Sequence, residues 1–298
     1  MNSLIQGRIV AAFGRQYLAR LNDGSNINCV PRGKKSELAC GDIVNIRLTG
    51  EASTSSGTGP QGVIETFEPR NSLLFRSDAF REKLIAANVT QIIIVVATEP
   101  SFSDELLSRC LVAAYNQSLD VLIILNKCDL TEQATSARKR LSPYIEIGYR
   151  VIELSAINDV SSLRPLLLGH ISVLVGQSGM GKSTLINALL PDAEAATREI
   201  STALDSGKHT TTHARLYNID DNSSLIDCPG VQVFGLHHLS FGEIEQGFIE
   251  FAKYLGQCRF NDCHHSHEPG CALLAAAANG KINLRRLALF QQISASKS

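Results

Sequence analysis

Gly176-Gln177-Ser178-Gly179-Met180-Gly181-Lys182-Ser183-Thr184 is the stretch on which the fold turns. The apolar run Ile171 to Val175 leads into it, and Leu185-Ile186-Asn187-Ala188-Leu189-Leu190 leaves it with helical spacing. Strand, glycine turn and helix N-terminus in that order make a phosphate-binding loop. The glycines let backbone N–H groups point inward, and the helix dipole favours an anion at its start. Lys182 would pair with the β and γ phosphates, and the Ser183 hydroxyl would bind Mg²⁺.

Such a loop does not choose between adenine and guanine. Asn126-Lys127-Cys128-Asp129 closes the apolar run Val121 to Leu125 and makes that choice. The Asp129 carboxylate would accept hydrogen bonds from the N1 and N2 donors of guanine. Adenine has neither donor, and an unpaired buried acceptor costs roughly 1–3 kcal/mol. Asn126 would brace the loop, and the Lys127 stem would cover the base. Ser155-Ala156 ends another strand and would offer a backbone N–H to the guanine O6. In Asp227-Cys228-Pro229-Gly230, Asp227 would hold Mg²⁺ through water and the Gly230 N–H would meet the γ-phosphate. Gly207-Lys208-His209-Thr210-Thr211-Thr212 lies where a switch segment supplies a threonine to Mg²⁺, with Thr211 the candidate.

These motifs imply GTP hydrolysis, but their order is exchanged. Asn126–Asp129 and Ser155-Ala156 precede the phosphate loop, so the two halves of the domain are circularly permuted. The second switch then feeds almost directly into the C-terminal residues, where movement tied to the γ-phosphate would reorient them. Val231 stands where many GTPases carry the glutamine that positions the attacking water, and Gln232 comes one residue late. Slow intrinsic hydrolysis is therefore expected, with Lys182, Thr211 and His209 as the catalytic set and His209 positioning the water.

N-terminal to the base-binding half, five short apolar runs separated by turns (Gly7 to Ala12, Gln16 to Leu21, Asn26 to Val30, Asp42 to Leu48, Gln61 to Phe67) read as an OB-type β-barrel over 1–70. Residues 71–238 form the permuted α/β GTPase domain. Gln91 to Val96 and Val121 to Leu125 are apolar enough for strands buried on both faces, and Asp104 to Gln117 has helical spacing. Beyond Leu239 the pattern turns helical, giving a small zinc-binding domain over 239–298. There Cys258, Cys263 and Cys271 crowd together with His265, a full tetrahedral set for one structural Zn²⁺. His264 and His267 are neighbours that spacing alone does not eliminate.

The 28 Lys and Arg against 29 Asp and Glu exclude nucleic-acid binding through a global basic field. RNA would have to be met by local patches, of which Arg32-Lys34-Lys35 and Arg285-Arg286 are the best. The Gly50 to Gly62 loop carries only Glu51 as a charge and is a poor electrostatic contact. The longest apolar run, Ile92 to Ala97, is too short to cross a bilayer, and the N-terminus lacks the design of a secretory signal. A cytoplasmic, monomeric protein with no membrane partner is expected.

With permuted motifs, barrel and Cys/His spacing together, the chain resembles the bacterial RsgA (YjeQ) family of small-subunit-dependent GTPases over nearly its whole length. The resemblance implies late maturation of the 30S subunit, binding to 16S rRNA and turnover of GTP to GDP stimulated by the subunit. It matches Cys258, Cys263, His265 and Cys271 to the family's zinc ligands and His209 to a proposed catalytic histidine. Two other readings remain: a nucleotide-gated RNA-binding module with negligible turnover, and a permuted GTPase serving another RNA.

Overall fold

The computed structural model describes residues 4–33, 37–49, 61–78, 81–191, 214–228 and 235–296, with backbone alone at 76–78 and 81–83. The first five strands are β1 (Ile5–Phe13), β2 (Gln16–Leu21), β3 (Asn26–Pro31), β4 (Ile43–Leu48) and β5 (Gly62–Phe67). Their order is β1-β2-β3-β5-β4, and β4 pairs back onto β1, so the sheet closes into a barrel. Alternating side chains fill it: Ile9, Tyr17, Ala19, Cys29, Val44, Ile46 and Ile64 form a core separate from the rest of the molecule. At Gly62 a Cβ would stand 2.6 Å from Ile46 Cγ2, so only glycine lets β5 approach β4 this closely.

A hairpin of β6 (Leu73–Asp78) and β7 (Arg81–Ala87), not foreseen in the sequence, leads from the barrel to the α/β domain. Parallel strands then follow: β8 (Gln91–Ala97), β9 (Asp120–Asn126), β10 (Arg150–Glu153), β11 (Ile171–Val175) and β13 (Ser224–Asp227), with β12 (Arg215–Asn218) antiparallel beside β13. Every residue of β8 is buried, as a central strand covered on both faces requires. Helix α1 (Asp104–Asn116) joins β8 to β9, α2 (Thr131–Glu146) joins β9 to β10, and α3 (Lys182–Leu189) leaves β11. Ser103 caps α1 by accepting the Leu106 N–H at 3.1 Å. The order β10-β9-β8-β11-β13-β12 puts β8 and β11 side by side, and the loops after them meet at one sheet end. Beyond β12 the sheet continues into the barrel, because β1 pairs with β12 at Ala11 and Arg215.

The C-terminal segment holds α4 (Phe241–Gln246), α5 (Ala272–Ala278) and α6 (Leu284–Ala295). A capping box of Ser240 and Glu243 starts α4. Phe248, Phe251 and Phe290 pack edge to face or stacked, with ring centroids 5.2 to 5.4 Å apart. This core is continuous with that of the α/β domain, in contrast to the barrel's interior. Its seam with α1 is tight: a Cβ on Gly247 would lie 2.9 Å from Val112 Cα.

A candidate nucleotide site and a candidate zinc centre

Left-handed backbone at Gly179 (φ 82°) and Gly181 (φ 88°) and the strained φ of 149° at Gly176 shape the loop after β11. A Cβ at Gly176 would stand 2.3 Å from the Val95 carbonyl oxygen, which fixes the loop against β8. Gly176 and Met180 are buried, while Ser178, Gly179, Ser183 and Thr184 are exposed at the sheet end. Lys182 Nζ donates to the carbonyls of Gly176 (2.6 Å) and Gln177 (2.8 Å), so its ammonium lies across the loop a phosphate would enter. Burial lowers the Lys182 pKa, opposed by Asp227, and burial raises the Asp227 pKa, opposed by Lys182. Each therefore favours the other's charged form at the mouth of the loop.

Asn126, 1% exposed, binds three loops together. Its Nδ2 donates to Met180 O at 2.9 Å in the phosphate loop. Its Oδ1 accepts the N–H of Lys127 at 2.8 Å and of Ala156 at 3.0 Å. Lys127 adopts a positive φ of 61° and sends Nζ to Glu99 O at 2.8 Å, which lays its stem beside the end of the phosphate loop. Asp129 is exposed and accepts the Ser155 hydroxyl at 2.6 Å, leaving carboxylate lone pairs for a further donor.

Contacts that motif reasoning passed over also hold the site. Thr98 donates from Oγ1 to Lys127 O at 3.0 Å, and Gln177 Oε1 accepts the Ser103 N–H at 2.7 Å. Thr98 follows the central strand β8 at the sheet's carboxyl end, the position at which parallel sheets build ligand sites. The Gln177 contact had no signal, because that position of the loop motif is unrestricted. His209, Thr211 and Gly230 lie outside the described residues, as do Val231 and Gln232.

The four expected metal ligands come together: Cys258, Cys263, His265 and Cys271 place their ligand atoms within 4.8 Å of one another. Cys258 and Cys271 Sγ are 3.9 Å apart, close to the roughly 3.8 Å edge of a tetrahedron with Zn–S bonds of about 2.3 Å. His265 Nδ1 faces Cys271 Sγ at 3.2 Å and Cys258 Sγ at 3.5 Å. Its Nε2 meets Glu245 Oε1 at 2.5 Å, the outer carboxylate that orients a metal-binding imidazole. Nothing in the spacing marked Glu245, twenty residues upstream; α4 carries it there. His264 instead packs edge-on against Phe241, and His267 Nδ1 contacts the Ser266 hydroxyl. Burial raises the Cys263 pKa, so a thiolate there calls for a cation. The donor set fits one zinc ion.

Of the two expected basic patches, Arg285-Arg286 is not one. Arg286 is 2% exposed and grips Glu250 with Nε–Oε1 at 2.7 Å, while Arg285 is bound to Asp104. In the other, Arg32 pairs with Glu65, and Lys34 and Lys35 lie outside the described residues, as do residues 50–60 of the loop.

The model of the RsgA GTPase family matches residues 67–237. The chain belongs to that family. It is 56% identical to the small ribosomal subunit biogenesis GTPase RsgA of Nitrosospira multiformis, over 98% of this chain and 91% of that one. It is 52% identical to the protein of the same name from Burkholderia pseudomallei, over 97% and 91%. Among solved structures, YjeQ from Thermotoga maritima superposes with a TM-score of 0.71 at 27% identity, covering 99% of this chain and 98% of that one. YloQ, described as a circularly permuted GTPase, gives 0.70 at 23% over 99% and 95%, a likeness of fold. The fold is thus a barrel, a circularly permuted GTPase domain and a C-terminal segment with a Cys3His cluster that could bind zinc. RsgA family membership makes it a GTP-hydrolysing enzyme. Among the described residues no helix is long and apolar enough to cross a membrane.

Proposed function

We propose that this chain is a GTPase of small ribosomal subunit biogenesis, binding 16S rRNA in the 30S particle and hydrolysing GTP under the particle's stimulation. The observation that carries the nucleotide part is the convergence on Asn126 of the phosphate loop, the Lys127 loop and the Ala156 loop. It supports a single site with Asp129 at the base end and Lys182 at the phosphate end. The ribosomal part rests on the names of relatives at 52–56% identity over almost the whole chain.

Asp129 takes the guanine N1–H and N2–H, and the Ala156 environment takes O6. The N–H groups of Gly176 to Thr184 cradle the phosphates, with the N–H of Gly230 at the γ-phosphate. Lys182 leaves the Gly176 and Gln177 carbonyls for the β and γ oxygens, neutralising charge that builds on the leaving GDP. Ser183 and Thr211, with Asp227 through water, would hold Mg²⁺, which would offset phosphate charge when the substrate is bound. His209 orients the attacking water, whose addition to the γ-phosphorus breaks the β–γ bond and yields GDP and phosphate. Cys258, Cys263, His265 and Cys271 would hold a structural zinc ion, and the chain acts as a cytoplasmic monomer.

Val231 in the glutamine's place favours a second reading, a nucleotide-gated RNA-binding module with negligible turnover. GTP turnover by the pure protein with and without 30S subunits, with Lys182→Ala as background, separates the two. Strong stimulation that disappears in Lys182→Ala is expected. Slow turnover indifferent to 30S would leave the module reading in possession.

A further inference from the structure

Strands β1 and β2 set Arg8 directly opposite Arg20 in the antiparallel register. Like charges opposed in this way work against the pairing. Neighbouring arginines in and beside the barrel have carboxylates: Arg32 and Arg47 share Glu65, and Arg70 holds Asp42. Neither the Arg8 nor the Arg20 side chain has a hydrogen bond or ion pair with a described residue. Arg8 is also half-buried, and burial lowers its pKa.

Both arginines line a cleft of about 330 Å³ at the seam between barrel and GTPase domain. Its far wall is the β12–β13 hairpin, which contributes Asn218 and Ser224 as neutral polar groups. Asp221, in the turn of that hairpin, also lines the cleft and pairs with neither arginine. Two guanidiniums thus face one carboxylate across a polar space, and the surplus is positive. Guanidinium forks match the oxygens of a tetrahedral oxyanion, and such an anion would relieve the Arg8–Arg20 repulsion.

We propose that this cleft is a phosphate-binding site in which Arg8 and Arg20 hold a phosphate group from either a free anion or an RNA backbone. Its occupant would touch both the barrel and the hairpin that runs between the Gly207–Thr212 segment and Asp227. The site rests on these side chains and not on the ribosomal reading, so the two stand or fall separately.

The test uses the full chain saturated with GDP, so that the nucleotide loop is filled. Two probes are applied at matched ionic strength: orthophosphate against chloride, read as a shift in thermal midpoint, and a labelled decauridylate RNA, read by anisotropy. Orthophosphate is expected to raise the wild-type midpoint and not that of Arg8→Gln/Arg20→Gln. That double variant should be at least as stable as wild type without phosphate, because the repulsion is gone. If RNA is the source, each single variant weakens decauridylate binding about fivefold and lowers the salt slope by about 0.7. Loss of the orthophosphate effect with unchanged RNA binding assigns the site to a free anion. No phosphate effect and no RNA binding in wild type, or equal responses in wild type and double variant, overturn the proposal. Arg20→Gln alone, at an exposed position, serves if Arg8→Gln disturbs the barrel.

Discussion

Replacing Asn126 by alanine should unfasten the nucleotide site before any nucleotide is bound. The side chain is 1% exposed and satisfies three backbone groups: Met180 O, Lys127 N and Ala156 N. Removing one partner of a buried hydrogen bond costs roughly 1–3 kcal/mol per orphaned group. Met180 and Ala156 are buried and bear that cost in full, whereas Lys127 is half-buried and regains part of it from water. The expected loss is about 3–5 kcal/mol, a large share of the roughly 5–15 kcal/mol that holds a domain folded. Urea unfolding of the nucleotide-free protein, followed by far-ultraviolet circular dichroism, measures it. Asp129→Ala is the control, because that exposed carboxylate has one bond, to Ser155, and its loss should shift stability by about 0.5 kcal/mol or less. The two variants should also part in binding: Asn126→Ala weakens every nucleotide, and Asp129→Ala weakens guanine nucleotides alone. A loss below about 1 kcal/mol for Asn126→Ala, with an unchanged denaturant slope, would show that the three loops hold their positions without it.

Three further outcomes are expected. Asp129→Asn exchanges a carboxylate for an amide and should move preference from GTP towards xanthosine triphosphate; competition binding that still ranks GTP first would sink the base assignment. Arg286→Met leaves the Glu250 carboxylate buried without its partner and should cost about 3–5 kcal/mol, much of it recovered in Arg286→Met/Glu250→Gln; equal stability of single and double variants by denaturant titration would contradict the ion pair. A strong chelator should release one zinc per chain, counted by a colorimetric indicator, and open Cys258, Cys263 and Cys271 to alkylation, while buried Cys40, Cys110 and Cys228 stay protected. Labelling of those three without chelator, at the rate of a free thiol, would mean that the cluster holds no metal.

Barrel strands, buried parallel strands and the phosphate loop were legible because each carries a local period or a local spacing. Glycine at 176, 179 and 181 marks backbone that other residues reach only with strain, and the expected loop is the one observed. The β6–β7 hairpin was missed because Leu73–Asp78 and Arg81–Ala87 mix charged and apolar residues without clean alternation. Arg285-Arg286 illustrates a different limit. Two adjacent arginines look like a surface patch, yet helix α6 turns Arg286 inward to Glu250 and to Ser108 Oγ at 3.0 Å. Guanidinium-to-ring contacts with Tyr144 and Phe248 help to bury it, and none of these partners is near in sequence. Glu245 likewise reaches the Cys3His cluster through tertiary packing, for which no spacing rule exists.

The permuted order has a mechanical consequence that depends on where the flanking units attach. In this sheet β12 would be an open edge, and the barrel closes it through β1, so the strand pair between the two expected switch segments is joined to the barrel. The C-terminal segment with the Cys3His cluster attaches elsewhere, along α1. Arg285 meets Asp104, Gln292 donates to Glu105 at 2.9 Å, Arg286 reaches Ser108, and Asn116 donates to Glu243 O at 3.1 Å. Helix α1 in turn is capped by Ser103, whose N–H is held by Gln177 of the phosphate loop. Chain order leads to the expectation that the C-terminal segment follows the second switch, whose residues 229–234 lie outside the described ones; the packing seen ties that segment to α1 as well. If the proposed GTP cycle moves the β12–β13 hairpin on loss of the γ-phosphate, hydrogen exchange should quicken on going from a GTP analogue to GDP. The expected outcome is that this faster exchange appears in β12 and β1 and not in the Cys3His segment; equal change in both would refute this route.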